Sequence, residues 1–439
     1  MKKITIVLIL LVGVSSLFAQ QDDANITTYK KRVLETTEID FLNSIYIQNG
    51  ENAAVSGGIG TEKLTDATAA VVVSIPLNDD DVLSIDAGVS AYTSASSSNI
   101  NPFDGKNVPD PFVASSGASA SDVWSNFTGT YSHSSDDRNQ IWHAKLSISA
   151  EFDYFSAGIG GGYAHLFNEK NTELSLNANV YIDTWNPIYP AELRPFASGG
   201  NGINNTLFKH NTIIGNTNYN PILNDFTSKG RNSYSVGLGF AQILSKRLQS
   251  SLAADFVWQS GLLSTPFQRV YFSDIADSFI GNFQLADANE KLPNTRFKIA
   301  LGGRLNYFVN EYIVVRTFYR YYFDNWKINA HTASIEVPIK ISEKFTLYPS
   351  FRYYNQTAAK YFKPYNELLS TAEFYTSDYD LSAYSANQYG LGISYTDIFA
   401  KAHIWKFGLK SIDLKFYHYD RNTGFYSNII TTGLKFVME

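Results

Sequence analysis

The chain has 439 residues, no cysteine, 35 basic against 41 acidic residues, and 15% aromatic residues. Without cysteine there is no disulfide framework and no thiolate chemistry. Setting Lys2 and Lys3 aside leaves 33 basic residues and a net charge of −8, which argues against a nucleic-acid partner.

Met1, Lys2 and Lys3 form a short basic start, 4–14 an unbroken apolar run, and 15–19 a small-residue stretch ending before Gln20. That is the pattern of a cleaved export signal, too short for the roughly 20 residues of a spanning helix. Residues 1–19 are therefore expected to be removed, with 20–34 as a periplasmic segment and 35–439 as the folded body. Beyond the leader no apolar run reaches about 18 residues, so helical membrane spans are excluded.

From Glu38 onward the chain runs in short segments with apolar and polar residues in alternation, the period that puts every second side chain on one face of a strand. Sixteen are predicted, at 38–48, 66–75, 82–93, 123–134, 140–152, 155–167, 172–184, 233–244, 248–259, 295–308, 312–323, 327–341, 345–356, 388–396, 412–420 and 425–438. Short polar turns fall at 77–81, 135–139, 168–171, 245–247, 309–311 and 342–344, each after an even strand. Long connections fall at 50–65, 94–122, 185–232, 260–294 and 357–387, each after an odd one. Such segregation, with an aromatic excess, is the signature of an antiparallel β-barrel of the bacterial outer membrane, with short turns and both termini periplasmic and long loops outside. The connection 397–411 fits least well, being long and partly apolar where a short turn is expected.

Each strand has two chemically distinct faces. Leu174, Leu176, Ala178, Val180 and Ile182 alternate with Glu173, Ser175, Asn177, Asn179 and Asp183, and Phe297, Ile299, Leu301 and Leu305 alternate with Arg296, Lys298, Arg304 and Asn306. Lipid is expected on the first set and the barrel interior on the second. Trp185, Trp258, Trp326 and Tyr417 are expected as interfacial aromatics near strand ends. On the interior face the first nine strands carry Glu38, Asp40, Asp66, Asp86, Glu151, Asp153, Glu173, Asp183 and Asp255. Strands ten to thirteen carry Arg296, Lys298, Arg304, Arg316, Arg320 and Arg352. Opposed walls of charge would set a transverse field in a water-filled lumen. The same charges could instead pair and plug it, and the sequence leaves pore and plug both open.

Other motifs carry less. Gly57, Gly58 and Gly60, and Gly158 with Gly160 to Gly162, lack the Gly-Lys-Ser/Thr of a phosphate loop and read as strand glycines in a curved sheet. Asp79 to Asp81 and Asp136 with Asp137 read as solvated turns, with a weak loop Ca²⁺ site as the alternative. The seven histidines show no metal spacing and no Gly-x-Ser-x-Gly elbow occurs, so no catalytic residues are assigned and an enzyme is not expected.

Several stretches carry a family resemblance. Thr37 to Leu42, Ser56 to Glu62 (Ser-Gly-Gly-Ile-Gly-Thr-Glu), Asp79 to Gly88 with Ser90 to Asn99, Tyr131 to Arg138, Phe167 to Glu173, and Asp183 to Pro190 resemble an uncharacterised family, domain of unknown function 3570, of outer-membrane proteins in Bacteroidota. The likeness is dense over 35–195 and thin beyond. It implies the barrel and the outer membrane, and supplies no activity. It also implies neighbours: a small lipoprotein and a flavin transferase that esterifies FMN phosphate to Ser or Thr. Ser116 to Ser121 (Ser-Gly-Ala-Ser-Ala-Ser) is similar to the core such transferases modify, which makes Ser119 the candidate attachment point; Val113 stands where the usual acidic residue would be. A Ser/Ala-rich flexible loop is the plainer reading. The expected function is a passive pore or uptake channel for small polar solutes with outer-membrane lipid around it. The alternative is a plugged barrel that docks a lipoprotein or a flavin-linked redox partner.

Overall fold

The structure, a computed structural model, describes residues 31–93, 121–186, 188–226 and 229–438. It divides into two compact units, 1–32 and 33–439; of the first only Lys31 and Arg32 are described, so the leader lies outside the described residues.

Among the described residues of the second unit, sixteen antiparallel strands close into one ring. The first eight are β1 (Glu38–Asn49), β2 (Leu64–Pro76), β3 (Asp81–Thr93), β4 (Ser121–Ser134), β5 (Gln140–Ala150), β6 (Tyr154–Phe167), β7 (Thr172–Trp185) and β8 (Gly230–Ser245). The other eight are β9 (Leu248–Gly261), β10 (Thr295–Phe308), β11 (Val314–Asp324), β12 (Asn329–Glu336, continued by Ile339–Lys340), β13 (Phe345–Gln356), β14 (Tyr384–Thr396), β15 (Phe407–Arg421) and β16 (Tyr426–Met438). Each pairs with its sequence neighbour, and β1 pairs with both β2 and β16, which closes the ring. Closure removes the unpaired edges that an open sheet would expose.

The alternation read in the sequence is what the fold uses. Along β5, Trp142, Leu146 and Ile148 stand exposed while His143, Lys145, Ser147 and Ser149 are on the other face. The same outer face carries Leu174, Leu176, Ile182, Val236, Leu238, Phe240, Phe297, Leu301, Leu305, Leu391 and Leu414, all exposed. A belt of large apolar side chains around a closed ring is built for hydrocarbon, since a monomer in water rarely exposes a contiguous patch above a few hundred Å². This is an outer-membrane-type barrel rather than a sandwich, which would have buried that face between two sheets.

Strand boundaries move by up to five residues from the predicted ones. β14 begins at Tyr384 and β15 at Phe407, so the ill-fitting connection shrinks to 397–406 and folds partly as a hairpin, His403–Ile404 bridging back to the start of β15. It raises Ile398, Phe399, Ile404 and Trp405 into the open, Trp405 at 93% exposure. β12 is interrupted at Val337 and Pro338, because proline has no N–H for the ladder.

Several sequence expectations need correction. Gly57, Gly58 and Gly60 are not strand glycines; they lie in the β1–β2 loop with φ of +79°, +91° and +94°, a region that favours glycine. Trp326 sits in the β11–β12 turn at 3% exposure, packed under Arg296 rather than at a lipid interface. Tyr417 is mid-strand on the polar face, beside Gly390, in a β15 whose Ile412, Leu414 and Phe416 take the outer face. Trp258 does stand on the outer face, against Tyr234 with ring centroids 5.6 Å apart.

Candidate functional site: a polar interior beneath a loop cap

The register fixes which side chains share the polar face. In one row around the ring, Ser175 lies opposite Gly239, then Ala253, Gly302, Arg320 and Thr332; in the next, Asn177 lies opposite Gly237, Asp255, Ala300 and Tyr322. Asp86, Glu173, Asp183, Asp255 and the six basic residues Arg296, Lys298, Arg304, Arg316, Arg320 and Arg352 all fall on this face. Glu151 and Asp153 do not: β5 ends at Ala150 and β6 begins at Tyr154, which leaves both in the three-residue turn between them. There Asp153 accepts a hydrogen bond from Trp185 Nε1 at 3.0 Å, and burial raises the pKa of both carboxylates above the ordinary range.

Several charges on the wall are answered locally. Arg296 donates to Asp324 at 2.5 and 2.9 Å and lies 4.3 Å over the Trp326 ring, and Arg316 pairs with Glu336 at 2.9 Å. Arg304 lies over Phe318 at 5.1 Å. On the opposite wall, Lys435 reaches Glu38 at 2.5 Å and Asp40 at 3.7 Å, Lys410 reaches Glu38 at 3.3 Å, and Tyr154 donates to Asp183 at 2.5 Å. Asp324, Glu336, Lys410 and Lys435 were absent from the sequence reading of the lumen. Asp324 fell one residue beyond a predicted strand end and Lys410 two residues before one, and Lys435 lies on the last strand, beyond the walls assigned from the sequence.

Side chains on part of the polar wall lie flat. A Cβ on Gly160 or Gly162 would collide with the amide oxygens of Asn179 and Asn177, and one on Gly237 would lie 2.8 Å from Asp255 Oδ1. Glycine on β6 and β8 thus gives the neighbouring polar side chains room to fold along the wall. A recess of about 600 Å³ remains at mid-height, lined chiefly by Asn177, Asn179, Asp255, Lys298, Arg320 and Tyr322.

The long-loop end is different. Loops 50–63, 188–226, 262–294 and 357–383 fold together as one cap with its own apolar cores. Leu207, Phe208, Tyr219, Ile280 and Leu285 make one, and Val270, Phe272, Ala288, Leu368 and Tyr375 another. Asn224 donates to Asn289 O at 2.9 Å and to Tyr375 Oη at 2.8 Å, tying three loops through one side chain. Arg269 of the β9–β10 loop, 2% exposed, forks onto Glu192 of the β7–β8 loop at 2.7 and 3.1 Å and donates to Val55 O of the β1–β2 loop at 3.1 Å. In a ring of sixteen, the roots of the β1–β2 and β9–β10 loops are eight strands apart, on opposite sides. Their contact therefore crosses the mouth.

The cap holds several acids away from water. Glu290, fully buried, accepts from Thr376 Oγ1 at 2.5 Å and from Thr265 N at 2.6 Å, and burial with the nearby Asp378 charge pushes its pKa up to about 8. Burial raises Asp287 to about 7 and Asp378, beside Asp380, to about 6. Burial alone would lower Arg269, but Glu192 more than offsets it and holds the guanidinium charged. Sequence reasoning missed this cap. Its signal was the apolar density of 262–294, where Leu262, Val270, Tyr271, Phe272, Ile280 and Leu285 are too many for a solvated loop.

The periplasm-type turns interlock as well. Arg138 binds Asp80 and the Asp79 carbonyl, while His133 meets Asp81 at 2.6 Å. No cluster of three or more metal-ligating side chains occurs among the described residues. Ser119 lies outside the described residues.

The profile of the family described as protein of unknown function, DUF3570, matches residues 8–422, from within the expected leader to the end of β15. The chain belongs to DUF3570. That span is wider than the stretch over which the resemblance is dense. No curated protein matches this DUF3570 chain. Among solved structures it is similar to a bacterial polysaccharide outer membrane secretin, at 11% identity over 92% of this chain and 99% of that one, TM-score 0.43. It is also similar to the TodX monoaromatic hydrocarbon channel, at 9% identity over 93% and 91%, TM-score 0.40. A third likeness is to the siderophore receptor PirA from Pseudomonas aeruginosa, at 11% identity over 90% of this chain, TM-score 0.39; the chain spans 57% of that receptor's length.

Proposed function

We propose that the protein sits in the bacterial outer membrane as a passive uptake channel for small polar solutes, with its long-loop mouth outward and roofed by the cap. The observation that carries this reading is the unfilled polar recess inside a closed ring. It is supported by wall charges that pair with a neighbouring strand, Arg296 with Asp324 and Arg316 with Glu336, and by Asn177, Asn179 and Asp255 folding over glycines of the wall. In this reading Arg296, Lys298, Arg304, Arg316, Arg320 and Arg352, with Asp86, Glu173, Asp183 and Asp255, border an aqueous path, and selectivity follows their balance.

The test is single-channel recording on the refolded protein. Wild type conducts, and replacing Arg316 and Arg320 together by Glu shifts selectivity toward cations. No conductance where a known porin conducts would overturn the channel. The cap supports a second reading, in which the mouth is a docking face for a surface lipoprotein, since Ile203, Ile214, Ile222 and Leu369 stand exposed on it. The Bacteroidota source and a flavin-linked partner belong to this second reading through the resemblance alone.

A further inference from the structure

We infer that the mid-height recess is a binding subsite for small carboxylates, and that acidic amino acids, with two carboxylates and one ammonium, are its best-matched occupants. The inference rests on the channel reading only for how a solute arrives.

The recess places two cations and one carboxylate in a single cavity: Lys298 of β10, Arg320 of β11 and Asp255 of β9. Among the described residues, and unlike Arg296 and Arg316, neither Lys298 nor Arg320 has a carboxylate within ion-pair distance, and Asp255 has no cation. Arg320 Nε is shut off from solvent and has no acceptor, which is costly for a buried charged donor. Lys298 lies in the field of Arg231 and Arg296, with only Asp324 opposing, so the surroundings favour an incoming anion. The register leaves Arg320 and Asp255 without a charged neighbour: Arg320 stands opposite Gly302 and Thr332, and Asp255 opposite Gly237 and Ala300. Lys298 stands opposite Val257 and Asp324, but Asp324 is engaged by Arg296.

A guanidinium fork with a nearby ammonium is the arrangement that recognises a carboxylate. Asn177 and Asn179 add amide donors and acceptors, and Tyr322 adds a ring wall. Asp255, on β9 between the asparagines of β7 and Arg320 of β11, accepts from an ammonium group. Two positive charges against one negative match a solute of net charge −1. The volume of about 600 Å³ lies within the range of ordinary small-molecule pockets and leaves room for such a solute with its water.

The test is calorimetric titration of the full-length protein in detergent, with L-glutamate, succinate and L-lysine as probes. Glutamate should bind more tightly than succinate, and lysine should not bind. Arg320→Gln should weaken both acids at least about tenfold, the loss of one charge-assisted hydrogen-bonded contact. Asp255→Asn should erase the preference for glutamate over succinate while leaving succinate bound. Ala300→Phe, which fills the recess without altering a charge, should abolish binding and keeps the inference testable if a charge variant fails to fold. Lysine binding as well as glutamate, or glutamate binding unchanged in Arg320→Gln and Ala300→Phe, would overturn the subsite. Binding without conductance would remove the channel and keep the subsite; conductance without discrimination among the probes would do the reverse.

Discussion

Of the carboxyls in the cap, Glu290 is the one whose burial has the largest consequence. Its folded pKa of about 8, with Asp287 at about 7 and Asp378 at about 6, lies above the ordinary carboxylate values of the unfolded chain. The folded cap therefore holds protons that the unfolded loops release. Its stability is fully present below the unfolded values, near pH 4, and is lost as pH rises through about 8. Trypsin cleavage at the loop residues Lys209, Lys291 and Lys360 should accordingly be slow at about pH 5 and faster at about pH 9, with Glu290→Gln flattening the upper part of the profile. A profile that rises toward acid would contradict the assignment. At the same scale, Ser119 carries the redox alternative. If FMN is esterified there, the denatured protein made beside an active flavin transferase gives a fluorescent gel band that Ser119→Ala abolishes. A dark wild-type band in such cells removes the idea.

Elements were more legible than connections. Strands such as β7 and β10 were read with little error because one face must meet hydrocarbon and the other water, a constraint that writes itself into every second residue. The polar rows followed from the same parity, which is why Lys298, Arg320 and Asp255 could be assigned to one face before their cavity was visible. Parity failed where a strand ended early, at Ala150, so Glu151 and Asp153 were misplaced, and Tyr417, taken as a strand-end aromatic, is turned inward by the alternation of Ile412, Leu414 and Phe416. Pairing such as Arg296 with Asp324 depends on register between strands, which alternation within a strand does not contain. The topology itself has a direct check. An epitope inserted at Asn204, in the loop between β7 and β8, should be reached by antibody on intact cells, and one at Asp136, in the β4–β5 turn, should not. The reverse pattern would invert the orientation.

At the scale of the whole molecule, a closed ring carries a cap whose fastening is concentrated in a few buried polar groups. Removing one partner of a buried ion pair leaves the other uncompensated, a cost of about 3–5 kcal/mol. Arg269→Met should therefore loosen the cap while leaving the ring's heat-dependent gel mobility unchanged, and should raise single-channel conductance. The double variant with Glu192→Gln should be less damaging than the sum of the two, because no lone charge remains. An Arg269→Met channel with wild-type conductance would show that the cap is not what limits flow. The Arg269 contact with Val55 also imposes an order of events. It joins loops rooted half a circumference apart, so an open, unfinished sheet cannot make it, whatever its local strand content. Resistance of the cap to protease becomes a clock that starts only when β1 has met β16, and pulse-chase proteolysis of the loops would time the completion of the barrel from its outer end.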